Sequence, residues 1–165
     1  MGDPRRQRRK YETPRFPWRP DTLQSELKLL GQYGLRNKRE LWRHKTMLSE
    51  LRGGARSLLG MASEERKKLE EQLVGRLVRL GILPEAAALD DALDLSIEDI
   101  LERRIQTVVF RKGLAKSMSQ ARQLVAHGHI AVEERRIFSP SYLVQRKEEE
   151  KIAYAPRGKT EAMNV

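Results

Sequence analysis

The side chains in this sequence that could do chemistry are mostly cations, and they come in groups. Arg5, Arg6, Arg8, Arg9 and Lys10 form a run near the start, with Arg15 and Trp18 shortly behind it. Arg36, Lys38, Arg39, Arg43 and Lys45 crowd around Asn37. A third group, Arg103, Arg104, Arg111, Lys112, Lys116 and Arg122, is interleaved with Ser117, Ser119, Gln120, Gln123, His127 and His129. Lys and Arg at this density neutralise phosphates and release the counterions condensed on a polyanion. Hydroxyls, amides and imidazoles among them add hydrogen bonds to sugar, phosphate or base. The chemistry on offer is binding, not bond making.

Other chemistries find little support. The chain has no cysteine, which excludes disulfides and cysteine-based zinc sites. His44, His127 and His129 do not share metal-ligand spacing on one element, so neither a metal nor a cofactor is expected. Asp90, Asp91 and Asp94 could hold a metal as paired carboxylates, but a solvated stretch beside a helix explains them equally well. The segment "RGGARS" lacks the Lys-Ser/Thr ending of a phosphate-binding P-loop. No stretch approaches the roughly 20 apolar residues of a membrane span. The start, "MGDPRRQRRKYE", has no apolar segment behind its charges and so does not read as a secretory signal. The expectation is a cytoplasmic protein that is not an enzyme, touches no membrane and is not a homo-oligomer.

The formal charge of +10 is spread unevenly over the 165 residues. Residues 1–60 carry 15 basic and 6 acidic side chains, residues 61–102 carry 5 and 11, and residues 103–165 carry 13 and 6. Two basic blocks therefore flank an acidic one. Two regions facing a nucleic acid, joined by a segment that faces solvent or a protein neighbour, would give that pattern.

The elements that must position these groups can be read in outline. Residues 1–20 read as a basic tail: Pro14, Pro17 and Pro20 block helix and strand ladders alike. Tyr11, Phe16 and Trp18 must then dock on a neighbouring surface or stack on unpaired bases. Residues 21–95 read as helical. Asp21 with Gln24 resembles a capping box ahead of Leu23, Leu27 and Leu30, and Gly34 closes the run. Asn37 with Glu40 opens a second helix whose Leu41, Leu48, Leu51, Ala55 and Leu58 share one face. The cations at its start oppose the helix macrodipole by roughly a few tenths of a kcal/mol each, which a nearby phosphate would offset. Ser63 opens a third helix with a core face of Leu69, Leu73, Leu77 and Leu80 and a stop at Gly81.

Residues 96–155 read as a compact module. Ser96 and Asp99 form a capping pair, with Leu95 and Ile100 as the hydrophobic staple. They open a helix expected to run to about Lys112, which puts Arg104 and Arg111 on nearly one face. Lys112 and Lys116 bracket the loop at Gly113. Ser117 or Ser119 opens a short helix that ends at Gly128, and its free backbone N–H groups can bind phosphate. The period then changes: Ile130 and Val132 alternate, "EERR" turns, Ile137 starts an extended piece, Tyr142–Val144 supply a strand, and Ile152 with Tyr154 a last one. Leu114, Ala121, Leu124, Val125, Ile130 and Val132 read as its core, and "RKEEEK" at 146–151 as a solvated turn. Residues 156–165 read as a tail. The fold class is α+β: a mainly helical N-terminal region with a basic extended tail, then two helices against a small, curved, antiparallel-rich sheet.

The segment "LERRIQTVVFRKGLAKSMSQARQLVAHGHIAV", followed by "SPSYLV", resembles the S-four RNA-binding domain. Upstream, "YGLRNKRELWR" and "LVRLGIL", with the tail "KYETPRFPW", resemble the S-four family of small-subunit ribosomal proteins of the archaeal and eukaryotic type. The resemblance runs from Lys10 to about Ile152. It implies that the two module helices and their loop form the RNA face, which carries RNA binding onto the third group of residues above. It implies a partner in the five-prime domain of small-subunit ribosomal RNA, bound at a multi-helix junction early in assembly. It also implies a place near the messenger entry site, beside small-subunit ribosomal protein five, with an influence on decoding accuracy. Many bacterial relatives carry a zinc-binding cysteine cluster near the N-terminus, which is missing here, so no metal is implied. The rival reading is a free-standing RNA chaperone or RNA-modification accessory built on the same module.

Overall fold

The computed structural model describes residues 9–61 and 63–156. Residues 9–19 form neither helix nor strand, bend at Arg15, turn at Pro17–Trp18 and lead into α1 (Pro20–Gln32). Pro20 sits in the first turn of that helix, where its missing N–H costs nothing and its fixed φ suits the helix. The capping box expected at Asp21 does not form. The N-cap is Arg19, which makes no side-chain cap bond, and Asp21 lies inside the first turn. Helix α2 (Lys38–Leu59) starts as the sequence implies, with Asn37 Oδ1 accepting from the Glu40 N–H at 3.1 Å. "RGGARS" lies within α2 and forms no loop at all. Helices α3 (Ser63–Arg79) and α4 (Leu89–Asp94) both pack against α2 and touch each other. Asp91 caps α4 by accepting from the Ala88 N–H at 2.8 Å, so the acidic cluster belongs to a helix and not to a loop.

The helix expected from Ser96 to Lys112 is two helices, α5 (Ile97–Glu102) and α6 (Ile105–Arg111). The break and another departure share one cause. The backbone at Tyr142–Val144 inserts against the break: the Ile105 N–H donates to the Tyr142 carbonyl at 2.8 Å and the Val144 N–H to the Arg103 carbonyl at 2.9 Å. The stretch expected as a strand therefore contributes one isolated bridge, Leu143 to Arg104, and no strand. Helix α7 (Met118–Ala126) follows, capped by Ser117, whose Oγ accepts from the Gln120 N–H.

Next come β1 (Ile130–Val132), β2 (Arg135–Arg136), the short helix α8 (Arg146–Glu149) and β3 (Ile152–Tyr154). The strands form one antiparallel sheet in the order β2-β1-β3, with Ala131 opposite both Arg136 and Ala153. The turn expected over "EERR" is narrower, since Arg135 and Arg136 already pair in β2. Arg146–Glu149 is helical, with Glu148 accepting from the Gln145 N–H at 2.9 Å. Gly128 ends α7 at φ +71°, and a Cβ there would come within 2.4 Å of the Phe138 ring that covers it.

Three cores hold the chain together. Leu48, Leu51, Ala55 and Leu58 of α2 pack with Leu77, Leu83, Leu89, Ala92, Leu95 and Ile100. Ile105, Val108, Val109, Ala121 and Val125 pack with Ile130, Val132, Val144 and Ile152. Tyr33, Leu35 and Leu41 pack with Leu101. The division expected at 95/96 is therefore bridged, because α5 gives Ile100 to one helical core and Leu101 to another. Leu69, expected in the core face of α3, is 41% exposed, whereas Leu77 is fully buried.

Candidate nucleic-acid interface

The three basic groups meet different fates. Arg5, Arg6 and Arg8 lie outside the described residues. Arg9 and Lys10 are exposed, and the Arg9 guanidinium lies 4.4 Å from the Tyr11 ring centroid. Tyr11 in turn leans on Trp42 of α2, with ring centroids 6.1 Å apart, and the Glu12 N–H donates to Thr46 Oγ1 at 2.9 Å. These contacts seat the arm on α2. Beyond them, Arg15 and Arg19 flank the Phe16 ring at 5.5 and 4.9 Å, and Trp18 is 85% exposed. A large indole left in water forgoes some 2–3 kcal/mol of burial, which a stacked base would recover.

At the start of α2, Arg36, Asn37, Arg39 and Arg43 face solvent. Lys38 and Lys45 do not stand free: both pair with Glu26 of α1, at 3.3 and 2.7 Å, and the Trp42 indole N–H donates to the same carboxylate at 3.1 Å. Burial alone would raise the Glu26 pKa, but the hydrogen bonds from Lys45 and Trp42 outweigh it and hold the carboxyl below its ordinary value. Part of the charge for which a phosphate seemed necessary is thus neutralised from within.

The third group divides more sharply. Arg104, expected on the RNA face, is 1% exposed and lies in the interior. It sits at the N-cap of α6, in the interruption between α5 and α6. Its Nη2 donates to Glu40 Oε2 at 3.0 Å, and its Nη1 lies 3.3 Å from His44 Nε2. Arg122 reaches the same carboxylate with both nitrogens, at 2.6 and 3.1 Å. Between them Gln106 donates to the carbonyls of Gly34 and Met118 at 3.0 and 3.1 Å. Burial would raise the Glu40 carboxyl, yet hydrogen bonds from Arg122 and Arg104 bring it down to about 2. His44 is lowered to about 4 by burial and by the Arg104 charge, so it is neutral. Nε2 must then accept from Arg104, which leaves the proton on Nδ1.

Arg103 is also spent internally, on Glu149 at 2.7 Å and the Val144 carbonyl at 3.1 Å. Arg111 pairs with Glu102, and Lys112 donates to the Glu149 carbonyl. Gln120 Oε1 accepts from the Lys116 N–H at 2.7 Å and so closes the loop ahead of α7. The remaining candidates come together. Lys116, Ser119, Gln123 and His127 are exposed and follow one another at spacings of three and four, which places them on one face of α7 and its leading loop. His129 extends that strip, its ring stacked 6.2 Å from that of His127. Among the described residues no cluster of three or more His, Asp or Glu side chains could hold a metal.

Sequence reasoning missed Glu40, His44, Gln106 and Glu26 as organising groups. One signal was present: His44 occupies the slot between Leu41 and Leu48 in a stripe of threes and fours, where a polar residue has to be satisfied internally. Phe138, 63% exposed over Gly128 between the two histidines, was also missed, and no pattern in the sequence marks it.

A family model described as the S4 domain matches residues 103–150. The chain is 55% identical over 156 residues to a protein of Ignicoccus hospitalis named small ribosomal subunit protein uS4, with 94% of each chain covered. It is 53% identical to the protein of that name from Hyperthermus butylicus, covering 94% of this chain and 89% of the relative. It is 52% identical to that of Methanothermobacter thermautotrophicus, covering 94% and 91%.

Proposed function

The chain belongs to the uS4 family of small ribosomal subunit proteins, and on that premise we propose that it is a structural constituent of the small subunit which binds ribosomal RNA and performs no catalysis. The observation that carries this reading is the strip Lys116, Ser119, Gln123, His127 and His129, left exposed along α7 and its leading loop while Arg103, Arg104 and Arg122 of the same module are spent internally. A rigid helix face with unspent donors suits the shape and backbone of folded RNA, where junction geometry counts for more than sequence. The arm gives a second contact: Arg9, Lys10, Arg15, Phe16 and Trp18 offer phosphate neutralisation and stacking, with Arg5, Arg6 and Arg8 upstream. Arg36, Asn37, Arg39 and Arg43 supply a third, with Lys38, Lys45, Arg111 and Lys112 at the edges of the RNA face. Arg103, Arg104 and Arg122 act by positioning these surfaces. Ser117 and Gln120 shape the α7 start.

The finer role follows the family. The protein nucleates assembly of the five-prime domain of small-subunit ribosomal RNA, sits near the messenger entry site beside small-subunit ribosomal protein five, and contributes to decoding accuracy in the cytoplasm. Sedimentation of a cell extract at low and high salt tests the reading. Co-migration with the small subunit that resists high salt is the expected result. A protein near the top of the gradient would mark a free-standing RNA chaperone or modification accessory instead.

A further inference from the structure

One face of α3 has no packing partner among the described residues. A groove of about 540 Å³ lies between α3 and the turn leading to α4. Val74, Gly75, Val78 and Ala87 line it, together with Glu70, Glu71 and Glu85 and, on the first turns of the helix, Lys67. Val78 and Ala87 lean on the core beneath, while Val74 belongs to none of the three cores.

Gly75 is informative. Glycine inside a helix costs about 1 kcal/mol relative to alanine, yet a Cβ at this position would meet nothing within 4 Å. The fold does not require glycine there, and its effect is to deepen the groove and let another chain approach closely. The acidic groups around it are available. Glu70 pairs with Arg66 one turn away at 3.5 Å, partly exposed, and Glu85 with Arg146 at 3.1 Å in the open; pairs at the surface are weak and exchange readily. Glu71 makes no ion pair among the described residues. The groove also lies in the block 61–102, which carries 11 acidic against 5 basic residues in an otherwise basic chain.

This combination decides between kinds of partner. A phosphodiester would be repelled by the carboxylates and gain nothing from valines. An amphipathic protein segment satisfies both parts, with apolar side chains on the floor and Lys or Arg on the carboxylates. We propose that the α3 groove docks a Lys- and Arg-rich amphipathic segment of another small-subunit protein. This inference rests on the small-subunit placement above. It gives the acidic block a role that RNA binding leaves open.

A photocrosslink tests it in the assembled particle. Lys67→p-benzoylphenylalanine, in the otherwise full chain, puts the probe on the groove wall and leaves its carboxylates intact. Subunits containing it are isolated on a gradient and irradiated, and the adduct is sequenced. The expected adduct is a peptide of a different subunit protein in which basic residues outnumber acidic ones. Adding Gly75→Trp, which fills the floor without changing charge, should lower the adduct yield by about fivefold or more while the chain still sediments with the subunit. An adduct to RNA, to a second copy of this chain or to an acidic segment overturns the proposal. So does a subunit-bound chain that gives no protein adduct, or a yield that Gly75→Trp leaves unchanged. A chain absent from the subunit overturns the parent placement as well, and the gradient alone separates the two failures.

Discussion

Glu40 carries more of this molecule than its place in the sequence suggests. One carboxylate accepts from two guanidinium groups of the module, and one of those groups is sealed from solvent beside a neutral histidine. Removing a single member of such a set leaves an uncompensated buried charge, so Glu40→Gln should destabilise the protein by about 3 kcal/mol in chemical denaturation. The same cluster sets the response to acid. His44 falls from 6.5 to about 4 on folding, so the unfolded chain takes up its proton first and stability declines as pH drops from about 6.5 to 4. Glu40 falls from 4.5 to about 2, so its contribution is complete above about 4.5 and is lost as pH drops through 2. Urea midpoints measured across pH 2–7 should decline through both windows. His44→Gln should flatten the upper one and spare the lower.

Among the elements, the helices were the most legible because their signals are local. Asn37, Ser96 and Ser117 each accept from the N–H three residues on, as their positions imply, and Gly34, Gly81, Gly113 and Gly128 all take positive φ. What could not be read depends on distant chain. The break between α5 and α6 exists because Tyr142–Val144 supplies hydrogen bonds there, and nothing near Arg103 announces that. Arg104 consequently looked like one more surface cation. Periodicity also overstated α3, since the leucine stripe continues past the point where the helix has something to pack against. Leu69→Ala should therefore change stability by less than about 0.5 kcal/mol, and Leu77→Ala by about 2–4 kcal/mol. Thermal or urea unfolding of the two variants distinguishes the positions.

For the whole molecule, the contacts across residues 95–105 bind what composition divides. Ile100 and Leu101 belong to the helical cores, Arg104 bonds to Glu40, and Gln106 holds the backbone turn at Gly34, where a Cβ would come within 2.9 Å of its amide. Two independent domains would unfold separately. This chain should unfold in one transition, with circular dichroism and Trp42 fluorescence superimposing. A fragment beginning at residue 96 should show no cooperative transition, since it exposes Ile100 and Leu101 and leaves the Arg104 and Arg122 guanidinium groups without their carboxylate.

The Glu40 cluster also sets a schedule. Its guanidinium partners lie 64 and 82 residues further along the chain. While the protein is being made, α2 can form as soon as it leaves the exit tunnel, with Lys38 already able to pair with Glu26 of α1, but Glu40 lacks its guanidinium partners until Arg104 and then Arg122 have emerged. Local helices thus come early and the tertiary lock comes later, once the distant partners have been made. A nascent chain paused before that point carries its basic helix start without the two contacts to Glu40 that fix the geometry of the finished surface.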